Sequence, residues 1–304
     1  MIIHIGAPKS ASTTLQHKVF ANTEHLYHFG EFGDGTTSIE DDLVIRGMFN
    51  YDDEFYSPDD TQQIIDKHCQ IAGDRKIVFS SADVLIFNRP KLAASRLKAH
   101  FGLDVKILLI VRNQFDALVS YYAAHGAWLK PAPKPYFRAF VSFTEWIEYQ
   151  KLHLSDSRLR TFSYWEQISP FRQVFGDMNV HVVLFEDLVN KIDTSWGILG
   201  ELFDAREGDL IRLFHTRKMR ERPSKRQLSF GRLLSLLIPI VEMPDIRYIG
   251  GPIGRFLSKG GSYSVNLSES QRRFLDNYFA EGNSKLADVF RLNLAAHGYP
   301  GWNS

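Results

Sequence analysis

The chain has 304 residues, 44% hydrophobic and 13% aromatic, which is ample for a substantial core in one large α/β domain or two small ones. A formal charge of +1 gives no bulk electrostatic reason to bind nucleic acid, and the lone Cys69 excludes an intrachain disulfide and points to no oxidising compartment. The most apolar internal stretch, Leu233 to Val241, is too short for a membrane span and contains Pro239; it reads as a pocket wall or a membrane-surface contact.

The first element is the apolar strand Met1-Ile2-Ile3-His4-Ile5, which runs through Gly6-Ala7-Pro8-Lys9-Ser10-Ala11-Ser12-Thr13-Thr14 into a helical pattern. Phosphate-binding loops begin this way: small residues let successive N–H groups turn inward, and the helix N-terminus adds its positive end. Aligned on Gly6 with the Walker A pattern, Ala11 stands at the second glycine and Ser12 at the lysine, while a lysine comes early, at position 9. That argues against an ordinary ATPase or GTPase. After an irregular insert come a helix from Asp60 to Ile71, a strand from Lys76 to Ser80, a helix from Lys91 to His100 and a strand from Val105 to Val111 that leads into Arg112. A further strand, Asn179 to Phe185, ends at Glu186-Asp187-Leu188. Strands alternating with helices predict an α/β three-layer sandwich, a central and mainly parallel sheet flanked by helices. Its ligands belong beyond the carboxyl ends of the strands, where Lys9, Ser80, Arg112 and Glu186 all fall. The aromatic, proline-rich stretch Trp128 to Tyr136 reads as a loop over the ligand cleft, and the basic run Arg217 to Arg226 as a solvated face or a holder of anions.

Pro8-Lys9-Ser10-Ala11-Ser12-Thr13-Thr14-Leu15-Gln16, directly after the first strand, resembles the 5′-phosphosulfate loop of sulfotransferases that use 3′-phosphoadenosine 5′-phosphosulfate (PAPS). Ala11 replaces the family's glycine, so a positive φ there is less comfortable. Arg112-Asn113-Gln114 followed by Ser120 is similar to the family's 3′-phosphate site, with Gln114 where proline is common; Arg112 offers a permanently charged fork and Ser120 a hydroxyl. Ser258-Lys259-Gly260-Gly261-Ser262-Tyr263, with the later Asn283 and Leu286, resembles the cofactor loop and terminal helix of heparan-type members, Gly261 standing where an arginine is usual. The resemblance implies a P-loop-containing fold in a single domain over residues 1–304, with helical and loop insertions on the acceptor side. It assigns Ala7, Pro8, Lys9, Ser10, Ala11, Ser12, Thr13 and Thr14 to the 5′-phosphosulfate, and Arg112 and Ser120 to the 3′-phosphate. Lys259, Gly260, Gly261 and Tyr263 complete its cofactor site.

The reaction so implied is sulfuryl transfer from PAPS to an acceptor hydroxyl or amine, with Lys9 stabilising charge on the leaving 5′-phosphate oxygen. No HExxH or Cys/His ligand cluster is present in the sequence, and no metal is expected. Related enzymes carry a glutamate after the second core strand in patterns such as Ser-Ser-Glu; here Ser80-Ser81-Ala82-Asp83 offers Asp83 one position later, as base or as helix cap, with His28 and Glu31 as further candidates for the base. The aromatic content and the glycan-modifying members of the family suggest a saccharide or glycolipid acceptor. With a loop starting at residue 6, the expected setting is the bacterial cytoplasm, with peripheral membrane contact left open. Two alternatives stand beside this reading: a P-loop nucleotide phosphotransferase, and a non-catalytic nucleotide- or glycan-binding protein of the same fold, which Ala82 keeps open.

Overall fold

In this computed structural model, residues 1–30, 38–124, 141–216, 223–237, 251–259, 261, 263–265 and 267–302 are described. Five strands, β1 (Ile2–Ile5), β2 (Leu26–Gly30), β3 (Lys76–Ser81), β4 (Lys106–Val111) and β5 (Val180–Leu184), form one sheet in the order β2-β3-β1-β4-β5, and every adjacent pair is parallel. The strands read as near-continuous apolar runs because both faces of the sheet are covered. Ile3, Ile5, Phe79, Ile107 and Leu109 point into one core, and Ile2, Val78, Leu108 and Ile110 into the other.

The helices follow in chain order: α1 (Ser12–Thr14), α2 (Ile39–Asn50), α3 (Pro58–Ala72), α4 (Asp83–Ile86), α5 (Pro90–Phe101), α6 (Gln114–Ala124) and α7 (Phe143–Leu152). They continue with α8 (Tyr164–Phe175), α9 (Phe185–Asn190), α10 (Asp193–Phe203), α11 (Glu207–His215), α12 (Lys225–Leu237), α13 (Gly251–Ser258) and α14 (Glu269–Phe290). Ser142 with Glu145, and Ser268 with Gln271, form reciprocal capping boxes that fix where α7 and α14 start. The apolar stripes of α10 and α11, through Trp196, Leu199, Phe203 and Leu210, bury one face of the sheet. The other face is covered by α5, α8 and α14, through Leu97, Phe171 and Leu275 among others.

The predicted irregular insert is in part a strand: β2 occupies its start, pairing with β3 at the sheet edge. His28 therefore lies inside a fully buried strand rather than at a strand end. It shares its face of the sheet with His4 and Ser80, under an edge-on Phe20 ring that touches both histidines. His4 Nδ1 lies 2.8 Å from Ser80 Oγ, which also accepts a hydrogen bond of 2.9 Å from Gln16 Nε2. Burial lowers both histidines to about 3, with the neighbouring His28 adding to the effect on His4 and His17 to that on His28.

Both rings are thus neutral when folded, whereas a histidine of the unfolded chain takes up a proton near pH 6.5. Stability is therefore complete above about pH 6.5 and declines from there towards pH 3, by on the order of 1 kcal/mol per pH unit for each histidine. Urea unfolding midpoints measured between about pH 7.5 and about pH 5 should fall accordingly, and a flat profile contradicts the burial of the pair.

Candidate active site

The sheet order places β1 at its centre, and the chain crosses over β1 between β3 and β4. Loops leaving β1 and β4 therefore diverge and open a crevice between their carboxyl ends. The loop after β1 fills one wall. Gly6 donates its N–H to Ser81 O at 3.0 Å, and a Cβ on Gly6 would lie 3.2 Å from both Ala82 Cα and Ser12 Oγ, a tight fit that a side chain could enter only if these neighbours shifted by a few tenths of an ångström. Lys9 and Ala11 both take the left-handed conformation, at φ 67°. This curl is what turns backbone N–H groups towards a common centre. Ser10 is buried and donates its hydroxyl to Ala7 O at 2.7 Å, and Ser12 donates to the same carbonyl at 3.2 Å. Of the predicted phosphate ligands, Ser10 is thus a loop-closing residue, its hydrogen turned inward. Thr13 and Thr14 are partly exposed on the first helical turn, where the Thr14 N–H already donates to Ala11 O at 2.8 Å. The helix continues from α1 into a π-helical turn, Leu15–Val19, which buries Gln16 against Ser80. Turns of this type recur at functional sites.

Left-handed backbone at Ala11 costs roughly 1–2 kcal/mol, of which glycine's looser unfolded state would return part. Ala11→Gly should raise unfolding stability by roughly 0.5–1 kcal/mol, read from the urea midpoint; a lower midpoint would contradict the left-handed geometry.

The opposite wall is the end of β4. Arg112 reaches across the crevice and donates from a terminal guanidinium nitrogen to Lys9 O at 2.9 Å, with its guanidinium 4.6 Å from the centre of the Phe185 ring. Its backbone is held from below by Tyr164, whose hydroxyl donates to Arg112 O at 2.9 Å and accepts from Arg112 N at 3.4 Å. Burial pushes the Tyr164 phenol well above its ordinary value, so it stays a neutral donor. Asn113 caps α6 by accepting from Phe115 N, and donates its amide to His297 O and Gly298 O, each at 2.8 Å. Its backbone N–H meets Glu186 Oε1 at 2.9 Å, and Tyr299 donates to the other oxygen of that carboxylate at 2.9 Å. His297 Nε2 lies 2.8 Å from Asp187 Oδ1. The C-terminal segment thus clamps the turn that carries Arg112. Gln114 explains its own departure from the family's proline: it is fully buried and exchanges hydrogen bonds with Asn283 of α14, at 2.7 and 3.3 Å.

Ser120 lies on α6 and is partly buried. Tyr263 packs on the same helix, its ring centre 5.7 Å from that of Tyr122, and its N–H bonds to Pro223 O; Gly261 O accepts from Lys225 N. Lys259 is exposed just after α13, and Gly260 lies outside the described residues. Asp83 opens α4 immediately beyond β3, its side chain outside what is described, and Ala82 abuts Gly6. His28 is sealed in β2, so it does not reach an acceptor, while Glu31, the stretch from Trp128 to Tyr136 and Arg217 to Arg222 lie outside the described residues. Among the described residues no group of three or more His, Cys, Asp or Glu is placed to hold a metal ion. Tyr164, His297 and Tyr299 escape a reading of the sequence, because each acts through a contact distant along the chain.

Two cationic side chains, a curled backbone and helix-start hydroxyls on facing walls form a donor set suited to an anion with two separated phosphate groups. The sequence pattern of the sulfotransferase domain family matches residues 1–230. The chain belongs to this sulfotransferase family. It is accordingly an enzyme of sulfuryl transfer, for which PAPS is the family's donor. A sulfotransferase from Alicyclobacillus acidocaldarius has a similar structure, with a TM-score of 0.53 and 15% identity over 97% of each chain, which shows the fold. The sulfotransferase domain of the curacin biosynthetic pathway aligns with a TM-score of 0.40 and 14% identity over 91% of this chain and 96% of its own. That of the Synechococcus PCC 7002 olefin synthase gives 0.41 and 13% over 96% and 94%. No curated protein sequence matches the chain. No described helix of this sulfotransferase is long and apolar enough to cross a membrane.

Proposed function

We propose that the enzyme transfers the sulfuryl group of PAPS to a hydroxyl, or an amine, of a saccharide or glycolipid, as a single cytoplasmic domain over residues 1–304 whose helical and loop insertions form the acceptor side. The observation that supports the donor side of this reading is the 2.9 Å hydrogen bond from Arg112 to Lys9 O, which joins the residue read as the 3′-phosphate arginine to the loop read as the 5′-phosphosulfate cradle. Lys9, the loop N–H groups and the hydroxyls of Thr13 and Thr14 hold the 5′-phosphate and balance the charge that grows on its leaving oxygen. Arg112 and Ser120 hold the 3′-phosphate, and Lys259, Gly261 and Tyr263 line the nucleotide from the α6 side. When bound, PAPS would supply an activated sulfuryl group: the acceptor oxygen or nitrogen would form a new bond to sulfur as the S–O bond to the 5′-phosphate breaks, 3′-phosphoadenosine 5′-phosphate would leave with that oxygen, and the acceptor proton would pass to a base. We assign that base to Asp83, which begins α4 directly beyond the strand that borders the phosphate loop.

A mass-spectrometric screen of PAPS with saccharide, glycolipid and amine acceptors tests the reading. Sulfated saccharide or glycolipid is the expected product, strongly reduced in Asp83→Asn while nucleotide binding persists. Transfer confined to simple phenols would overturn the acceptor class, and full-rate turnover by Asp83→Asn would remove that residue from the chemistry.

A further inference from the structure

The basic character of this chain is concentrated in one segment. Residues 217–259 hold ten Lys or Arg side chains against three acidic ones, Glu221, Glu242 and Asp245, although the whole chain carries a formal charge of only +1. The described part of this segment is the helix pair α12 and α13, and its surface is apolar as well as cationic. Leu233 of α12 is 55% exposed, and Ile253 and Phe256 of α13 are each 60% exposed. On α13, Gly254 and Leu257 face inward, so Ile253 and Phe256, three residues apart, share the outward side. Lys225, Arg226 and Arg255 are exposed around them. Arg226 stacks over the Phe256 ring at 4.6 Å and donates to Phe256 O at 3.3 Å, which places a fixed positive charge beside an exposed aromatic ring.

We propose that the α12–α13 pair is a docking surface for an anionic lipid bilayer. Large apolar side chains turned to water lose the free energy of burial unless something covers them. A bilayer meets both halves of this surface: Leu233, Ile253 and Phe256 enter the headgroup and acyl boundary, and the surrounding arginines and lysines meet lipid phosphates, the arrangement by which interfacial helices bind. A nucleic acid would match the charge but offer little to the aliphatic side chains.

The position gives the contact a use. Lys225 N bonds Gly261 O and Ser224 Oγ bonds Leu257 O, so the surface shares one frame with the loop that carries Tyr263. Docking would hold that edge of the crevice close to acceptors embedded in the same membrane. The binding itself does not depend on which acceptor is sulfated.

Co-sedimentation of the full chain with phosphatidylglycerol-containing vesicles, and with pure phosphatidylcholine vesicles, tests the proposal. The expected result is binding to the anionic vesicles only, weakened by salt, and reduced about tenfold or more in the double variant Ile253→Gln/Phe256→Gln. A second variant, Arg226→Gln/Arg255→Gln, should weaken binding in the same direction and flatten the salt dependence. Both should retain binding of 3′-phosphoadenosine 5′-phosphate, which shows that the fold survives. Absence of anionic-vesicle binding by the parent, or equal binding by the double variant, would overturn the proposal. So would self-association of the parent that the same apolar substitutions abolish, since the surface would then serve a second copy of the chain.

Discussion

Lys9→Ala lowers kcat by about 100- to 1,000-fold, the usual consequence of removing one group that meets charge developing on a reacting oxygen. The effect belongs to kcat because that charge is greater in the transition state than in the bound substrate. The fold should survive. Lys9 sits in the left-handed region at φ 67°, a strain that alanine bears equally, and its backbone carbonyl, which receives Arg112, remains in place. Single-turnover kinetics with saturating PAPS, alongside thermal melting, separate the two effects. A Lys9→Ala enzyme as fast as the parent would remove the phosphate loop from the chemistry.

Arg112→Ala acts on affinity instead. It deletes the guanidinium that spans the crevice, and the loss of a charged hydrogen-bonding partner for the 3′-phosphate costs about 1.5–3 kcal/mol, roughly 10- to 150-fold in Kd for 3′-phosphoadenosine 5′-phosphate. AMP lacks the 3′-phosphate, so its weaker binding should change little on the same substitution. The difference between the two nucleotides isolates the contact from any general loosening of the site. Such loosening is limited by Tyr164 and Asn113, which hold the backbone at this turn through main-chain hydrogen bonds that alanine keeps. Lysine should restore only part of the affinity, since it offers a point charge where the site presents a planar fork. Equal weakening of both nucleotides would place Arg112 in a structural role.

Much of this architecture was legible in the sequence because parallel strands buried on both faces announce themselves as apolar runs. Val180 to Leu184 and Lys106 to Val111 fall within a residue of where those runs place them. Leu26 to Gly30 does not announce itself, because His28 interrupts the apolar run, and the partners that make a buried histidine tolerable, Phe20 and a neighbouring strand, are known only once the chain is folded. The phosphate loop was readable down to the discomfort of Ala11, since loop chemistry is local in sequence. The support of the opposite wall was not. Tyr164 meets Arg112, Tyr299 meets Glu186 and Asn283 meets Gln114 only through the fold, and no spacing rule along the chain connects them. Gln114 in particular looks like a plain departure from a motif until its buried amide partner on α14 is seen.

The most direct test of the central claim is calorimetric titration of the purified protein with 3′-phosphoadenosine 5′-phosphate, AMP and ATP in one metal-free buffer. Tighter binding of the 3′-phosphorylated nucleotide, by the tenfold or more that Arg112 is expected to supply, is the predicted result. Equal binding of all three, or ATP binding that appears only when magnesium is added, would contradict it and point to a phosphotransferase.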